Sequence, residues 1–525
     1  MSEKVIVAHD MGTSSDKAVL ITVHGEIIGE AKQHYPVHHP KPGWAEQNPD
    51  NWWDAVCATT RQVLKDNKIS PDHVAGITFA SQTLGLVPVN KQGDPLRPAM
   101  IWLDSRSAEI VHHHLWKWPR VMGYHPLRLI RFLSITGGAP GHTGKDQIGK
   151  LLWLKKHEPD IYGQTEKFLD VKDFVVFRLT GNTTTSADLA FLWWMMDSRK
   201  QKNQWHPALC HMAGVDRKRL ADIQPSAAIV GKVTHEAAKK TGLNPGTPVI
   251  NGSGDFGASA LGSGALEEGE LIACLGTSGW IASHVTQRKI DVPHYAGCIG
   301  SALPEQFYLV LAFQETAGIC LEWVKDHVLY HKDQIKKEFH VSKIYEILDQ
   351  LAQNAAPGSE GLIFTPWMYG ERCPLDDDTV RAGLINLGLN PSREHIVRAV
   401  LEGVALNMRW AMEVIENLYS PSTYLNLIGG GAQSDTWCQI LADVTNREIR
   451  RVADPRHAGA RGVALLASMS LGYMGSVLEM KKRIHVDKTF KPNPENRSLY
   501  NKRFSMFKDF YQANKKWYKR MNGGH

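Results

Sequence analysis

Short apolar runs separated by turn residues open the chain. Val5-Ile6-Val7-Ala8 runs into Asp10-Met11-Gly12-Thr13-Ser14, and Lys17-Ala18-Val19-Leu20-Ile21 follows. A second turn, His24-Gly25-Glu26, leads into a third apolar stretch, so the pattern predicts three strands joined by tight turns. The pattern returns midway. Glu270-Leu271-Ile272-Ala273-Cys274-Leu275 leads into Gly276-Thr277-Ser278-Gly279, and Trp280-Ile281-Ala282-Ser283-His284 exits. Two copies of one motif predict two related halves facing one another. The stretch Pro245 to Gly264, rich in Gly, Ser and Pro, holds the expected boundary and divides the chain into residues 1–253 and 254–525. A third glycine cluster, Gly429-Gly430-Gly431, follows the apolar run Tyr424-Leu425-Asn426-Leu427-Ile428. Helical spacing fills the intervals, as in Val397 to Ile415, where Ala399, Leu401, Val404, Leu406, Met408 and Met412 recur. Strands alternating with helices indicate an α/β protein.

Composition narrows the class. A chain of 525 residues accommodates several domains, and 43% hydrophobic with 22% charged residues is ordinary globular usage. No secretory signal pattern is visible, and no run nears the roughly 20 apolar residues that span a bilayer. The seven cysteines lie far apart without a CxxC pair, the usage of a reducing compartment, so a cytoplasmic protein is expected. The net charge of +6 is concentrated at the end: from Glu479 onward 13 Lys and Arg stand against 4 Asp and Glu. Tyr500, Phe504, Phe507, Tyr511 and Tyr518 recur there at helical spacing, which predicts a helix with one packed face and solvated lysines. Neither nucleic acid nor membrane is therefore expected as a partner. Adjacent residues cannot converge on one ion, so His112-His113-His114 reads as a solvated patch and not a metal site.

The glycine turns carry the candidate chemistry. Backbone N–H groups that converge at such turns bind phosphate without side chains. Gly12-Thr13-Ser14 and Gly276-Thr277-Ser278-Gly279 both offer this, and Asp10 beside the first is placed to hold Mg²⁺ through water. Asp255, in Asn251-Gly252-Ser253-Gly254-Asp255-Phe256-Gly257, stands at a strand end among glycines where a ligand can approach. It suits a general base, although on local sequence alone an Asx turn or a helix cap accounts better for an aspartate there.

Order and company distinguish these readings. Asp10-x-Gly-Thr, Gly-Ser-Gly-Asp255, Gly276-Thr-Ser-Gly and Gly429-Gly-Gly-Ala together resemble the FGGY carbohydrate kinases of the actin-like ATPase superfamily. The resemblance spans nearly the whole chain. Gly43 to Trp53 is similar to that family's Trp-Glu-Gln segment, and Leu96 to Arg106 to its Arg-Pro-Ala-Ile-Trp-x-Asp-x-Arg strand. Lys150 to Lys155 is similar to the first signature, and Arg393 to Gly403 to the second. Among family members the chain resembles xylulokinases. The resemblance implies two ribonuclease-H-like domains with ATP and sugar in the cleft between them, and possible homodimers. It implies Asp255 as the base that deprotonates the sugar hydroxyl and Asp10 as the organiser of Mg²⁺. Gly12, Thr13, Ser14, Gly276 and Thr277 would follow the phosphates of ATP, with Gly318, Gly431, Ala432 and Asp435 at its ribose and base. Gln82, Thr83, Trp102, Asp104 and Arg106 would lie at the sugar end.

Two positions depart from the family pattern. Thr83-Leu84 stands where xylulokinases carry Met-His and glycerol kinases Arg-Glu, and Phe256 stands where Gln or Asn is usual. Both replace polar groups at the sugar end, which redirects specificity and leaves the phosphate turns untouched. A ketopentose such as xylulose is the expected substrate, with another ketose or polyol as the alternative. Two rival readings are a sugar sensor derived from a kinase and a conformational actin-like ATPase.

Overall fold

Two mixed sheets of seven strands repeat one topology in the computed structural model, which describes residues 3–121, 123–291, 294, 296–329 and 343–523. In the first sheet, Val5–Met11 pairs antiparallel with Ser15–Thr22, which pairs antiparallel with Ile27–His34. Val74–Ser81 lies parallel on the other side of Val5–Met11, followed by Pro248–Ile250 and the antiparallel edge Ile229–Lys232. The second sheet repeats this order. Leu271–Leu275, Gly279–Val285 and Tyr308–Gln314 form the meander, with Gly297–Gly300 outside it. Tyr424–Ile428 and Glu448–Val452 run parallel to Leu271–Leu275, and Val486–Phe490 closes the edge. The central strands are buried almost throughout, which is why they read as continuous apolar runs.

Two helices join the halves. Asp255–Gly262 crosses Ala458–Ser470 at glycines: a Cβ on Gly262 would stand 1.8 Å from the Ala458 carbonyl, and one on Gly462 2.0 Å from that of Ala258. The late helix then places Ala460, Val463, Ala464 and Ala467 against Ile6, Ala8 and Ala80 of the first sheet. Backbone meets backbone there, so nothing can yield to an added methyl. Gly462→Ala is expected to lower stability by about 1–3 kcal/mol, read from the denaturant midpoint. Gly163→Ala is the control, because Gly163 lies in a helix and has open space around it; no loss is expected there.

The C-terminal helix runs from Arg497 to Asn522 and buries Tyr500, Phe504, Phe507, Tyr511 and Tyr518, as their spacing predicts. Val397 to Ile415 lies within the helix Arg393–Leu418. Asn386 takes a left-handed φ of 65° that asparagine tolerates best among side-chain-bearing residues. All seven cysteines are free, and no described helix is long and apolar enough to cross a membrane. One expectation fails. Leu96 to Arg106 is a strand only at Ala99–Met100, and turns carry the rest. The Asp104 carboxylate takes the N–H groups of Ala45 (2.7 Å) and Arg106 (3.2 Å), donors that an extended ladder would have needed.

Candidate active site

The parallel central strands bring the glycine turns to the same ends of their sheets, the place where open α/β folds receive ligands. Asp10, Lys17, Gly276, Thr277, Gly318 and Gly431 line one cavity of about 740 Å³ between the halves. Its floor is tightly built. The Gly318 N–H donates to the Gly276 carbonyl at 2.9 Å, and a Cβ on Gly318 would meet that oxygen at 2.6 Å. Gly429 has a φ of +93°, and its Cβ would lie 2.6 Å from the Leu275 carbonyl. Only glycine fits these positions, and the backbone of both turns is left open to the cavity. In the first turn the Gly12 N–H donates to Ser15 (2.9 Å) and the Gly12 carbonyl accepts from the Tyr35 hydroxyl (2.6 Å); Ser14 is exposed.

Asp10 and Lys17 face each other across the first hairpin, with Lys17 Nζ 3.8 Å from Asp10 Oδ2. Burial pushes the Asp10 pKa up and the lysine opposes it. A single half-buried carboxylate beside a glycine turn fits Mg²⁺, which takes one or two carboxylates and fills its shell with water and phosphate oxygens. Among the described residues no group of three or more His, Cys, Asp or Glu side chains is arranged around a metal. The pairing of Lys17 with Asp10 was open to a reading of hairpin register, because the turn sets the two opposite each other.

Asp255 is the first residue of the helix Asp255–Gly262, and its Oδ1 accepts the Phe256 N–H at 2.9 Å. The glycines around it permit a close approach. A Cβ on Gly252 (φ +77°) would lie 2.0 Å from the Phe79 carbonyl, and one on Gly254 2.7 Å from the Thr83 methyl. Burial pushes the Asp255 carboxyl up to about 7, against the Phe256 N–H and with help from the charges of Asp10 and Asp188. A carboxyl so tuned can hold or release a proton near neutrality. Asp188, absent from the sequence reading, clamps this segment. Its Oδ2 accepts the Ser253 hydroxyl (2.6 Å) and the Gly254 N–H (2.7 Å), and its Oδ1 the Ser226 hydroxyl (3.3 Å). No local motif marks Asp188, since its partners come from distant parts of the chain. Phe256 meets Trp280 and Phe313 edge to face at 5.8 and 6.0 Å, so its loss of polarity is matched by aromatic neighbours.

The sugar-end candidates form a connected layer. Trp102 donates to Thr13 Oγ1 at 2.8 Å, Gln47 to the Thr13 carbonyl at 2.7 Å, and Gln82 to Gln47 at 2.9 Å. Gln82 Oε1 is buried with no hydrogen-bond partner among the described residues. Asp104 and Arg106 are placed differently from Gln82 and Trp102. Asp104 is wholly buried with both oxygens occupied by Arg106 and the Ala45 N–H, while Arg106 also reaches Glu46 (2.7 Å) and stacks 3.6 Å over Trp44. They brace the Trp102 segment. Lys150 does the same from beneath, donating to the carbonyls of Leu84 (2.6 Å) and Ile101 (2.7 Å), with its pKa pushed by burial down to about 8. Five nucleotide candidates fall outside the cavity lining: Gly12, Thr13 and Ser14 of the first turn, and Ala432 and Asp435. Ala432 is buried, and Asp435 is bound by Arg451 and Lys488 at 2.6 Å each, an arrangement set by tertiary charge pairing; Ser434 and Trp437 line the cavity instead.

Comparison with known proteins places the fold in a family. The family model for the N-terminal domain of the FGGY family of carbohydrate kinases matches residues 5–262, and that for its C-terminal domain matches residues 271–471. The chain is 28% identical over 514 residues to the xylulose kinase of Bacillus subtilis (strain 168), covering 98% of this chain and 97% of that one. Among solved structures, the gluconate kinase from Lactobacillus acidophilus superposes with a TM-score of 0.86 at 25% identity, over 99% of this chain and 100% of that one. The ligand-bound xylulose kinase from the same organism gives the same TM-score, identity and coverage. With both family domains matched in order over two sheets of one repeated topology, the chain belongs to the FGGY family of carbohydrate kinases.

Proposed function

We propose that this kinase transfers the γ-phosphoryl group of MgATP to a hydroxyl of a small sugar or sugar derivative, with Asp255 as the general base. The observation that carries the reading is Asp255 itself, pushed up to about 7 by burial with help from Asp10, which lines the glycine-rich cavity. The amides of Thr13, Ser14 and Thr277 would bind phosphate oxygens, with Gly12 and Gly276 closing the turns through their own N–H groups and Gly318 and Gly431 along the nucleoside. Asp10 would hold Mg²⁺ through water, and the bound ion would neutralise charge on the phosphates. Asp255 accepts the proton of the hydroxyl as its oxygen bonds to the γ-phosphorus and the bond to the β-phosphate oxygen breaks, releasing ADP. Gln82, Thr83 and Trp102 would orient the sugar, with Asp104 and Arg106 holding Trp102 in place.

The relatives bracket two substrate classes, a ketopentose such as xylulose and an aldonate such as gluconate. Coupled ADP release across ketopentoses, ketohexoses, aldoses, polyols and sugar acids tests the reading. Compound-dependent ADP release supports it, and silence on every member of the panel sinks it.

The tuning of Asp255 also sets a pH dependence. Its ionised form is the active one, so kcat/KM for the sugar should rise tenfold per pH unit on the acid side and level off above about 7. A profile flat from pH 5 to 8 would show that Asp255 does not titrate in the reaction.

A further inference from the structure

A second charged cluster borders the sugar end of the cleft, and the phosphoryl transfer described above does not use it. Lys145 follows the glycine-rich stretch Gly137 to Gly144 and is half-buried, with Nζ 5.9 Å from the centre of the Trp102 ring. The charged groups acting on it are Glu315, Arg372 and Asp146. Each of these is already engaged. Arg372 pairs with Glu315 at 2.7 Å and lies 4.9 Å over Phe313, while Glu371 accepts the backbone N–H groups of both, each at 2.9 Å. The oxygens of Asp146 accept from the Trp194 indole and the Gly141 N–H, each at 2.9 Å. Lys145 has no hydrogen bond and no ion pair among the described residues.

An ammonium withdrawn from water without a counter-ion is costly, and burial accordingly lowers the Lys145 pKa. The groups that act most strongly on Asp255 are Asp10 and Asp188, whereas Lys145 answers to Glu315 and Arg372. The amine stands beside the Trp102 ring, at the end of the cleft where the sugar is expected, and Asp255 is not among the charged groups that act on it. Resting on the kinase reading above, we propose that Lys145 receives the carboxylate of the substrate, and that the substrate is a sugar acid of the aldonate class phosphorylated at a hydroxyl distant from that carboxylate. A monoanion fits better than a phosphate group. Only one cation lacks a partner, and a dianion would meet Glu315 without a second free positive charge. A neutral ketose would leave the amine unpaired in the closed cleft.

The test is ADP release with compounds that differ in one group: gluconate against glucitol, and xylonate against xylitol, with xylulose alongside. Wild type is expected to show kcat/KM at least tenfold higher for the acid of each pair. Lys145→Met should lower the acid-to-polyol ratio at least tenfold, mainly through KM, and Lys145→Arg should keep it. Thermal melting of both variants confirms folding. The proposal is overturned if xylulose or the polyols are turned over in preference to the acids, an outcome that leaves the kinase reading standing. A ratio unmoved in Lys145→Met overturns it as well. If no compound of either kind releases ADP, the kinase reading and this one fall together.

Discussion

Asp255→Asn is expected to retain MgATP and sugar binding while turnover falls by about 10²–10⁴-fold, the contribution of a positioned general base. The amide has nearly the same shape and still accepts the Phe256 N–H through its oxygen, so the helix start should survive. It lacks the ability to take a proton. Equilibrium binding of nucleotide separates this outcome from a folding defect, and near-wild-type turnover would remove Asp255 from the mechanism. The variant should also be more stable than wild type at alkaline pH. The folded Asp255 titrates at about 7, against about 4 for an unperturbed aspartate. The stability associated with the protonated form is fully present below about pH 4 and is lost as pH rises through about 7. Melting temperatures of the two proteins should therefore coincide near pH 4 and diverge by pH 8 in favour of the asparagine. That divergence expresses a trade between stability and activity at the base.

Asp188→Ala is expected to have the next largest effect on turnover. It strips the Ser253 hydroxyl, the Gly254 N–H and the Ser226 hydroxyl of a shared acceptor in a buried site. Each such orphan costs about 1–3 kcal/mol if it stays buried and unmet. Gly254 directly precedes Asp255, so the segment that presents the base would relax, and a displacement of about 1 Å is enough to lower turnover roughly 10²-fold. Asp188 acts through Asp255, and the pH profile exposes this. The negative charge of Asp188 raises the Asp255 pKa, so its removal should move the acid limb of kcat/KM to lower pH. Asp188→Asn should give the same shift with a smaller loss of stability. An unmoved limb in both variants would reduce Asp188 to a packing role.

Local chemistry made most of the fold readable. The strands Val5–Met11 and Leu271–Leu275 announce themselves because a central strand is buried on both faces, so Val5 to Ala8 and Leu271 to Leu275 read as unbroken apolar runs. The turns that follow are readable because their glycines answer to backbone sterics, as Gly318 and Gly429 show by the closeness of the carbonyls opposite them. The aromatic stripe from Tyr500 to Tyr518 packs as its spacing requires. The sugar end was far less legible. Asp104 and Arg106 look like ligand-binding groups in sequence, yet they bind one another, because charges removed from water take whatever partner lies nearest in space. Asp435 meets Arg451 and Lys488 for the same reason.

Through the resemblance of its motif series the sequence singled out Asp255 as the candidate base, and by itself it determined the α/β class, the repeated strand–turn–strand unit and the two glycine turns. These depend on periodicity and on backbone constraints that act within a few residues. Only the tertiary structure decided that Asp188 clamps the base, that Lys150 braces Leu84 and Ile101 from beneath, and that Lys145 stands beside Trp102 without an ion pair among the described residues. It likewise decided that Asp255 titrates near neutrality, because desolvation and like charge depend on which segments fold around a carboxylate. Electrostatic character is a property of the assembled surroundings, and residues far apart in the chain supply them.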